Sequence, residues 1–233
     1  FVLSRVEGPK DWDIATDALP EKIMEIFPES FYENTFGTVG VKIKAGEKTE
    51  EVIEVTTFRL ESGYEDKRHP TEVQFTQRVE DDLARRDFTI NALAYGQDTE
   101  ANWNLVDPFG GKADLEAGVV RAVGNPHHRF EEDALRLMRA VRLVTELRGE
   151  DPKRGWRLEE DTLSALKELS GNLRAISQER IRDEFSKILL SAKPKEGVEL
   201  LEETGLLRSF LPELCEGIGV TQNLHHIYTV WEH

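Results

Sequence analysis

The clearest strand in this sequence is Glu51-Val52-Ile53-Glu54-Val55-Thr56-Thr57-Phe58, where β-branched residues alternate with polar ones. A period of two puts successive side chains on opposite faces of a sheet, so this pattern predicts a half-buried strand. The same alternation in Thr38-Val39-Gly40-Val41-Lys42-Ile43 predicts a second strand. The polar residues 44–50 between the two predict a turn, so a sheet organises the first half of the chain.

Shorter segments complete an α/β pattern around these strands. Trp12-Asp13-Ile14-Ala15 predicts another strand, and Pro20–Phe27 predicts a helix because proline favours the first helical turn. Residues 59–72 are polar and interrupted by glycine and proline, so they predict a mobile loop. Residues 80–94 predict a second helix.

From residue 115 onward the pattern is almost entirely helical. In residues 129–147 apolar side chains recur at helical spacing, and residues 160–170 and 177–190 repeat this pattern. Residues 149–155 are charged and predict a connector between helices. The expected fold is therefore α+β, with a mixed-sheet head that is followed by an all-helical neck and body.

The composition favours a folded, soluble protein, since hydrophobic residues make up 39% and charged residues 32% of the chain. No apolar run approaches the ~20 residues that a membrane-spanning helix needs. The first residues are too few and too charged for a secretory signal, and Cys215, the single cysteine, excludes an internal disulfide. We therefore expect a cytoplasmic protein with no membrane partner, and the oligomeric state is left open.

The net charge of −15 argues against a general nucleic-acid-binding protein, because such proteins are usually basic. An enzyme that binds only the end of an RNA needs a local basic surface, here called a basic stripe, and not a basic net charge. The arginines close enough in sequence to form one are Arg121, Arg129, Arg136, Arg139, Arg142 and Arg148. The alternative is that they are solvated helix charges.

Three carboxylates fall on or beside the predicted strands. Asp11 and Asp13 are two residues apart, so on a strand they share one face, where a divalent cation such as Mg²⁺ would relieve their repulsion. Glu54 stands between apolar neighbours, where a buried unpaired carboxylate is costly. Together they predict a catalytic site for two metals, one acting on an attacking hydroxyl and one on the leaving pyrophosphate. The alternatives are a chance acidic pair and an outward-facing glutamate at a strand edge.

A run of charged residues near the end of the head predicts contacts with a nucleotide. Arg85 and Arg86 can fork onto triphosphate oxygens. Asp87 and Asn91 are four residues apart and share one face of the predicted helix, from which they can bind ribose hydroxyls. The alternative is an ordinary polar helix face.

Asp133 and Arg136 are three residues apart and so are neighbours on the predicted helix. Asp133 can only accept hydrogen bonds, and Arg136 can only donate them. Cytosine and adenine both present an amino donor beside a ring-nitrogen acceptor, whereas uracil and guanine present the reverse order. The pair therefore fits cytosine and adenine alike, and Arg139 is a further candidate for nucleotide binding. The alternative is a surface salt bridge.

These segments resemble, in their order and in their residues, the motifs of class II CCA-adding enzymes and bacterial poly(A) polymerases. The matching stretches are Asp11–Thr16, Phe36–Val39, Glu54–Arg59, Arg85–Ala92, Asp107–Gly111, Glu132–Arg136 and Ser177–Arg182. The resemblance implies a nucleotidyltransferase head of the DNA polymerase β type, with Asp11 and Asp13 as ligands of Mg²⁺. It also implies that CTP and then ATP are added to the 3′ end of tRNA.

The resemblance implies a division of the chain as well. The expected domains are a head at 1–112, a nucleotide-selecting neck at 113–172, a body at 173–218 and the start of an HD-like domain at 219–233. Residues 107–111 would form a springy connection, and residues 59–70 would be the family's flexible loop. The helix of Asp133 and Arg136 would be braced by Glu179, Arg180 and Arg182.

One departure concerns the phosphate loop, Gly-Gly-x-Val-Arg-Asp, which is expected ahead of Asp11 and is not found there. Phe1-Val2 resembles the strand that enters this loop and Leu3-Ser4-Arg5 the segment that leaves it, so we expect a break in the chain near Val2–Leu3. Three functions stay open at this point. They are CCA addition, addition of A alone or poly(A) synthesis at the same site, and an inactive RNA-binding module.

Overall fold

The computed structural model describes residues 12–33, 36–45, 49–64, 70–97, 101–223 and 227–232. Asp11 and the predicted break near Val2–Leu3 lie outside the described residues. The described chain forms two compact units. The head unit takes in residues up to 86 together with 91–112, and the helical unit takes in 87–90 and the residues from 113 onward. The finer domain bounds expected from the sequence stay predictions.

The first part of the chain alternates strands and short helices. Its elements are β1 (Asp13–Thr16), α1 (Pro20–Ile26), β2 (Ser30–Tyr32), β3 (Thr38–Ala45), β4 (Thr49–Thr57), β5 (Arg59–Tyr64), β6 (Pro70–Phe75), α2 (Val79–Ala84), β7 (Ala94–Gln97), β8 (Trp103–Val106) and α3 (Gly111–Ala117). The main sheet has the strand order β1-β4-β3-β2. Strand β1 runs parallel to β4, while β3 runs antiparallel to both β4 and β2. The predicted mixed sheet, its strands and the first helix are confirmed.

The alternation of β3 and β4 decides which face of the main sheet is buried. Val39, Val41 and Val55 share one face and are 0%, 5% and 8% exposed. They pack with Ile23 of α1 into one apolar core. Glu54 belongs to the other face of the sheet, which leaves its side chain exposed.

The prediction of a mobile loop over residues 59–72 was wrong. Strands β5 and β6 pair antiparallel, with Arg59 opposite Phe75 and Glu61 opposite Val73. The backbone hydrogen bonds of the hairpin satisfy polar groups that a loop would leave to water, and the polar character of β5 hid this pairing. Residues 65–69, between the strands, lie outside the described residues.

The prediction of one helix over residues 80–94 was also wrong. Helix α2 ends at Ala84, and a short 3-10 helix follows at Thr89–Asn91 before β7 begins. Between them Phe88 forms a β-bridge with Ala122 and is 0% exposed. The backbone N–H of Thr89 donates to the carbonyl of Arg121 at 2.9 Å. A tertiary strand-like contact therefore replaces the helical hydrogen bonds that local spacing suggested.

The rest of the chain is helical with one small two-stranded sheet. Its elements are β9 (Val119–Val120), α4 (Pro126–Glu132), α5 (Leu135–Glu150), β10 (Arg157–Leu158), α6 (Glu160–Leu169), α7 (Gln178–Leu189), α8 (Pro194–Glu203), α9 (Leu206–Phe210) and α10 (Pro212–Cys215). Helix α5 is central, and its Leu137, Met138, Val141 and Val144 are fully buried. Among the described helices, none combines the length and apolar character that crossing a bilayer requires.

The single helix predicted over residues 129–147 is two helices with a break at Asp133 and Ala134. Asp133 has an extended backbone with φ −141° and ψ 105°. Its carboxylate accepts the backbone N–H of Leu135 at 3.0 Å. Aspartate competes for backbone donors in this way, which favours a helix end over a helix interior. Asp133 therefore lies just before α5, and its carboxylate binds the first backbone N–H of that helix.

Gly197 allows α8 to pack closely on α5 and α7. A Cβ added there would collide with the Cγ2 of Ile188 and lie 3.0 Å from the Oγ1 of Thr145. We expect Gly197→Ala to lower the free energy of unfolding by about 1–3 kcal/mol, because overpacking forces neighbours out of place. Gly171→Ala is the matched control, since its added Cβ meets open space. Chemical denaturation measures both, and a Gly197→Ala protein as stable as the control would contradict this packing.

Candidate active site

Two of the predicted carboxylates lie side by side on the exposed face of the main sheet. Asp13 of β1 and Glu54 of β4 are direct register partners in the parallel pair. Side chains at paired positions point to the same face, on strands about 4.8 Å apart. On the other side of Glu54, its register partner in β3 is Gly40. Gly40 has no side chain, and the ring of Phe31 occupies the space where a side chain would lie. The sheet therefore presents two adjacent carboxylates beside an apolar ring.

The donor chemistry of this pair suits a hard divalent cation, which prefers carboxylate oxygens. The side chain of Asp13 is 65% exposed, so its oxygens are open to an ion. No three His, Cys, Asp or Glu side chains are grouped as metal ligands within the part of the chain that the structure describes. Asp11, the third predicted carboxylate, lies outside that part. Asp13 and Glu54 thus fit two positions of a metal-binding set.

Arg86 is the predicted phosphate-binding residue that reaches one of these carboxylates, Asp13. Its Nη2 lies 3.3 Å from Oδ2 of Asp13 and 3.8 Å from Oδ2 of Asp82. Its side chain is 29% exposed. The Nε atom of Arg86 is buried and has no hydrogen-bond partner among the described residues. A partly exposed cation thus lies next to the exposed carboxylate of Asp13.

Arg85, its neighbour, is turned into the head unit instead. Its guanidinium donates to Asp82 through Nε at 3.0 Å and Nη2 at 2.8 Å. Its Nη1 donates to Oε1 of Glu61 at 3.1 Å. The side chains of Asp82 and Glu61 are only 3% and 9% exposed. The two predicted phosphate-binding arginines therefore have different surroundings.

Asp87 and Asn91 do not share a helix face as predicted. Asp87 belongs to the helical unit, where its Oδ2 lies 2.6 Å from Nη2 of Arg139 and its Oδ1 accepts the N–H of Phe88. Burial is the largest influence on Arg139 and lowers its pKa, but the charge and hydrogen bond of Asp87 outweigh it, so the pKa is raised. Asn91 ends the short 3-10 helix in the head unit.

Asp133 and Arg136 lie at the junction of α4 and α5 and are not on one helix, which corrects the prediction. Asp133 is in the break, and its carboxylate accepts a hydrogen bond from Nη2 of Arg180 at 3.0 Å. Arg136 is in the first turn of α5, and its Nη1 donates to Glu132 at 2.6 Å and to the carbonyl of Arg129 at 2.9 Å. Each side chain is thus held by a different partner from α4 or α7.

Each arginine of the expected basic stripe has a carboxylate partner in the helical unit. The pairs are Arg121–Asp114, Arg129–Glu132, Arg136–Glu132, Arg139–Asp87, Arg142–Glu184 and Arg148–Glu196. Paired charges largely cancel, so these residues do not form an open cationic stripe. Of the expected braces, Arg180 contacts Asp133, whereas the guanidinium of Arg182 contacts exposed Asp183.

Three carboxylates that pair with predicted site arginines were missed from the sequence, namely Glu61, Asp82 and Glu132. Two of them carry a local signal, since Asp82 is three residues before Arg85 and Glu132 is four before Arg136. Glu61 lies 24 residues from Arg85 along the chain. Only the pairing of β5 with β6 and their packing beside α2 bring Glu61 to Arg85.

Two family models match this chain. One, described as the poly A polymerase head domain, matches residues 2–121. The other, described as the probable RNA and SrmB-binding site of polymerase A, matches residues 155–218.

Curated relatives and solved structures agree with these matches. The chain is 44% identical over 208 residues to the CCA-adding enzyme of Pediococcus pentosaceus, covering 89% of this chain and 47% of that protein. It is similar to the CCA-adding enzyme of Bacillus stearothermophilus in complex with CTP, with 40% identity, a TM-score of 0.71, and coverage of 88% and 45% of the two chains. The Thermotoga maritima CCA-adding enzyme complexed with tRNA CCA gives 25% identity, a TM-score of 0.68, and coverage of 88% and 45%. The chain thus spans about half the length of the relatives it matches.

Proposed function

The chain belongs to the family of the poly A polymerase head domain, and from this membership we propose that it catalyses nucleotide addition to tRNA 3′ ends. The proposed reaction is template-independent addition of CCA, from CTP and then ATP. The observation that carries it is the exposed pair of Asp13 and Glu54 with Arg86 alongside. The names of the relatives support the choice of tRNA and CTP as partners, and a complex of a CCA-adding enzyme with ATP supports ATP. With these substrates, we place the activity in the cytoplasm.

Nucleotidyltransferases of this family use a divalent metal, and we propose Mg²⁺ because it prefers carboxylate oxygens and keeps sites for water and phosphate. Asp13, Glu54 and Asp11 are the residues that would hold it. When bound, Mg²⁺ would favour the ionised form of the attacking hydroxyl and neutralise charge on the pyrophosphate.

The chain's own residues would bind and orient the nucleotide. Arg86 is partly exposed beside Asp13, so its guanidinium can take a triphosphate oxygen in a bidentate or single contact. The Nη1 atom of Arg136 donates hydrogen bonds to Glu132 and to the carbonyl of Arg129, and these bonds fix the plane of its guanidinium. Asp133 is held by Arg180 and by the N–H of Leu135. This fixed donor and acceptor would match the Watson–Crick edges of cytosine and adenine.

Synthesis of poly(A) is the second candidate function. The family model that covers the head is described by that activity. Both reactions use the same proposed carboxylates and the same arginine, so only the order and number of nucleotides added separate them.

We expect the full-length protein with Mg²⁺ to add CTP, and not ATP, to a tRNA that ends before CC. ATP should be added once to a tRNA that ends in CC, and a tRNA ending in CCA should not be extended. Denaturing gels at single-nucleotide resolution, with CTP and ATP supplied separately, give the measurement. Long A tails on every substrate would favour the poly(A) polymerase. RNA binding without any extension would favour an inactive module.

A further inference from the structure

We propose that Arg85 is a positioning residue that holds Arg86 beside Asp13, and that it does not bind the triphosphate itself. Asp82 and Glu61 are its anchors. This inference deepens the proposed function and rests on it, because it assigns different tasks to two adjacent arginines of one nucleotide site.

Hydrogen bonding commits the guanidinium of Arg85 to the interior of the head unit. Nε and Nη2 donate to one oxygen of Asp82, and Nη1 donates to Glu61. All three nitrogens of a rigid planar fork are thereby in use. A triphosphate oxygen could accept hydrogen bonds from Arg85 only if Arg85 broke its bonds to Asp82 and Glu61. Both carboxylates would then stay buried without their main cation.

Burial makes such an exchange costly. The side chains of Asp82, Glu61 and Arg85 are 3%, 9% and 19% exposed. Removing one partner of a buried ion pair is strongly destabilising, because the other charge stays uncompensated. Arg59, which lies 2.7 Å from Glu61, is the second cation of this cluster. Arg85 is therefore committed to two buried carboxylates, and one of them, Glu61, has a second guanidinium beside it.

Asp82 connects this cluster to the proposed site. Its Oδ1 binds Arg85, while its Oδ2 lies 3.8 Å from Nη2 of Arg86. The same Arg86 nitrogen lies 3.3 Å from Asp13. Both arginines directly follow α2, so the position of Asp82 on that helix sets where Arg86 can reach. Locking Arg85 therefore locks the backbone from which Arg86 extends.

Lysine substitutions separate the two roles in the full-length protein. Lysine binds phosphate well as a point charge but cannot reproduce a fork that joins two carboxylates. We expect Arg86→Lys to keep most of the CTP affinity, while Arg85→Lys weakens it about tenfold, as Arg85→Gln does. CTP affinity is measured by calorimetry, and KM and kcat for CTP by single-nucleotide extension. Arg78→Lys is the matched control, because Arg78 is next to α2 and its side chain is 70% exposed.

A double-mutant cycle guards against simple unfolding. Asp82→Asn combined with Arg85→Gln removes both charges together, and we expect the pair to weaken CTP binding no more than the worse single change does. The proposal is overturned if Arg85→Lys keeps wild-type affinity while Arg86→Lys loses it. It is also overturned if the effects of Asp82→Asn and Arg85→Gln multiply. A wild-type protein that bound CTP without transferring it would overturn only the proposed function, whereas one that bound no CTP would overturn both.

Discussion

Replacing Asp13 with alanine should abolish nucleotide transfer while leaving the fold intact. Its carboxylate is one of two adjacent oxygen donors on the exposed sheet face, and it also pairs with Arg86. Loss of a metal-binding carboxylate removes several kcal/mol of charge stabilisation, so we expect kcat to fall by about a thousandfold or more. The side chain is 65% exposed, so the free energy of unfolding should change by only about 0.5 kcal/mol.

Single-turnover extension of tRNA with CTP measures this loss, and thermal unfolding measures the stability. Asp17→Ala is the matched control, since Asp17 is an exposed aspartate just after the same strand. Glu54→Gln should also lose most activity, because Glu54 is the register partner of Asp13. Turnover close to wild type in the Asp13 variant would eliminate the proposed metal site.

Arg136→Ala is expected to lose the preference for CTP over UTP and for ATP over GTP. A hydrogen bond to a charged group contributes roughly 1.5–3 kcal/mol. The ratios of kcat/KM for right and wrong bases should therefore fall by roughly ten- to a hundredfold. The overall rate should fall too, because Glu132 loses one of its two arginine partners at the α4–α5 junction.

The measurement is kcat/KM for all four nucleoside triphosphates on tRNAs ending before CC and in CC. Arg148→Ala serves as the control, because Arg148 lies on the same helix, forms an ion pair with Glu196, and has a 30% exposed side chain. We expect that variant to keep its base preference. If Arg136→Ala lost rate but kept the full preference for CTP and ATP, another residue would have to read the base.

The strands of the proposed site were within reach of the sequence because they depend on short-range alternation, whereas the register that pairs Asp13 with Glu54 was not predicted. In Ile53-Glu54-Val55 the apolar residues pack toward α1, so the glutamate must face the other way. Asp13 lies in the neighbouring strand β1, where burial does not alternate. Their pairing follows once β1 joins the sheet next to β4. The roles of these residues in catalysis stay predictions.

Two of the errors have one cause in common, which is that a local pattern was overridden by contacts distant in sequence, whereas the helix break at Asp133 comes from a hydrogen bond with the N–H of Leu135 two residues along the chain. Phe88 and Thr89 left the predicted helix because their backbone pairs with residues 121 and 122. Arg59–Tyr64 became a strand because residues 70–75 supplied its hydrogen bonds. Local sequence patterns take no account of segments distant in the chain, so they cannot anticipate these partners.

By itself the sequence determined the fold class, the buried face of the sheet and the residue types of the proposed site, since periodicity and side-chain chemistry are local properties. Only the tertiary structure decided which partners each charged side chain has and how deeply it is buried. Arg85 and Arg86 are chemically identical neighbours, yet Arg85 is bound to buried Asp82 and Glu61 while Arg86 remains beside exposed Asp13. The physical reason is that the free energy of a charge depends on its burial and its partners, and these are known only once distant segments have packed together.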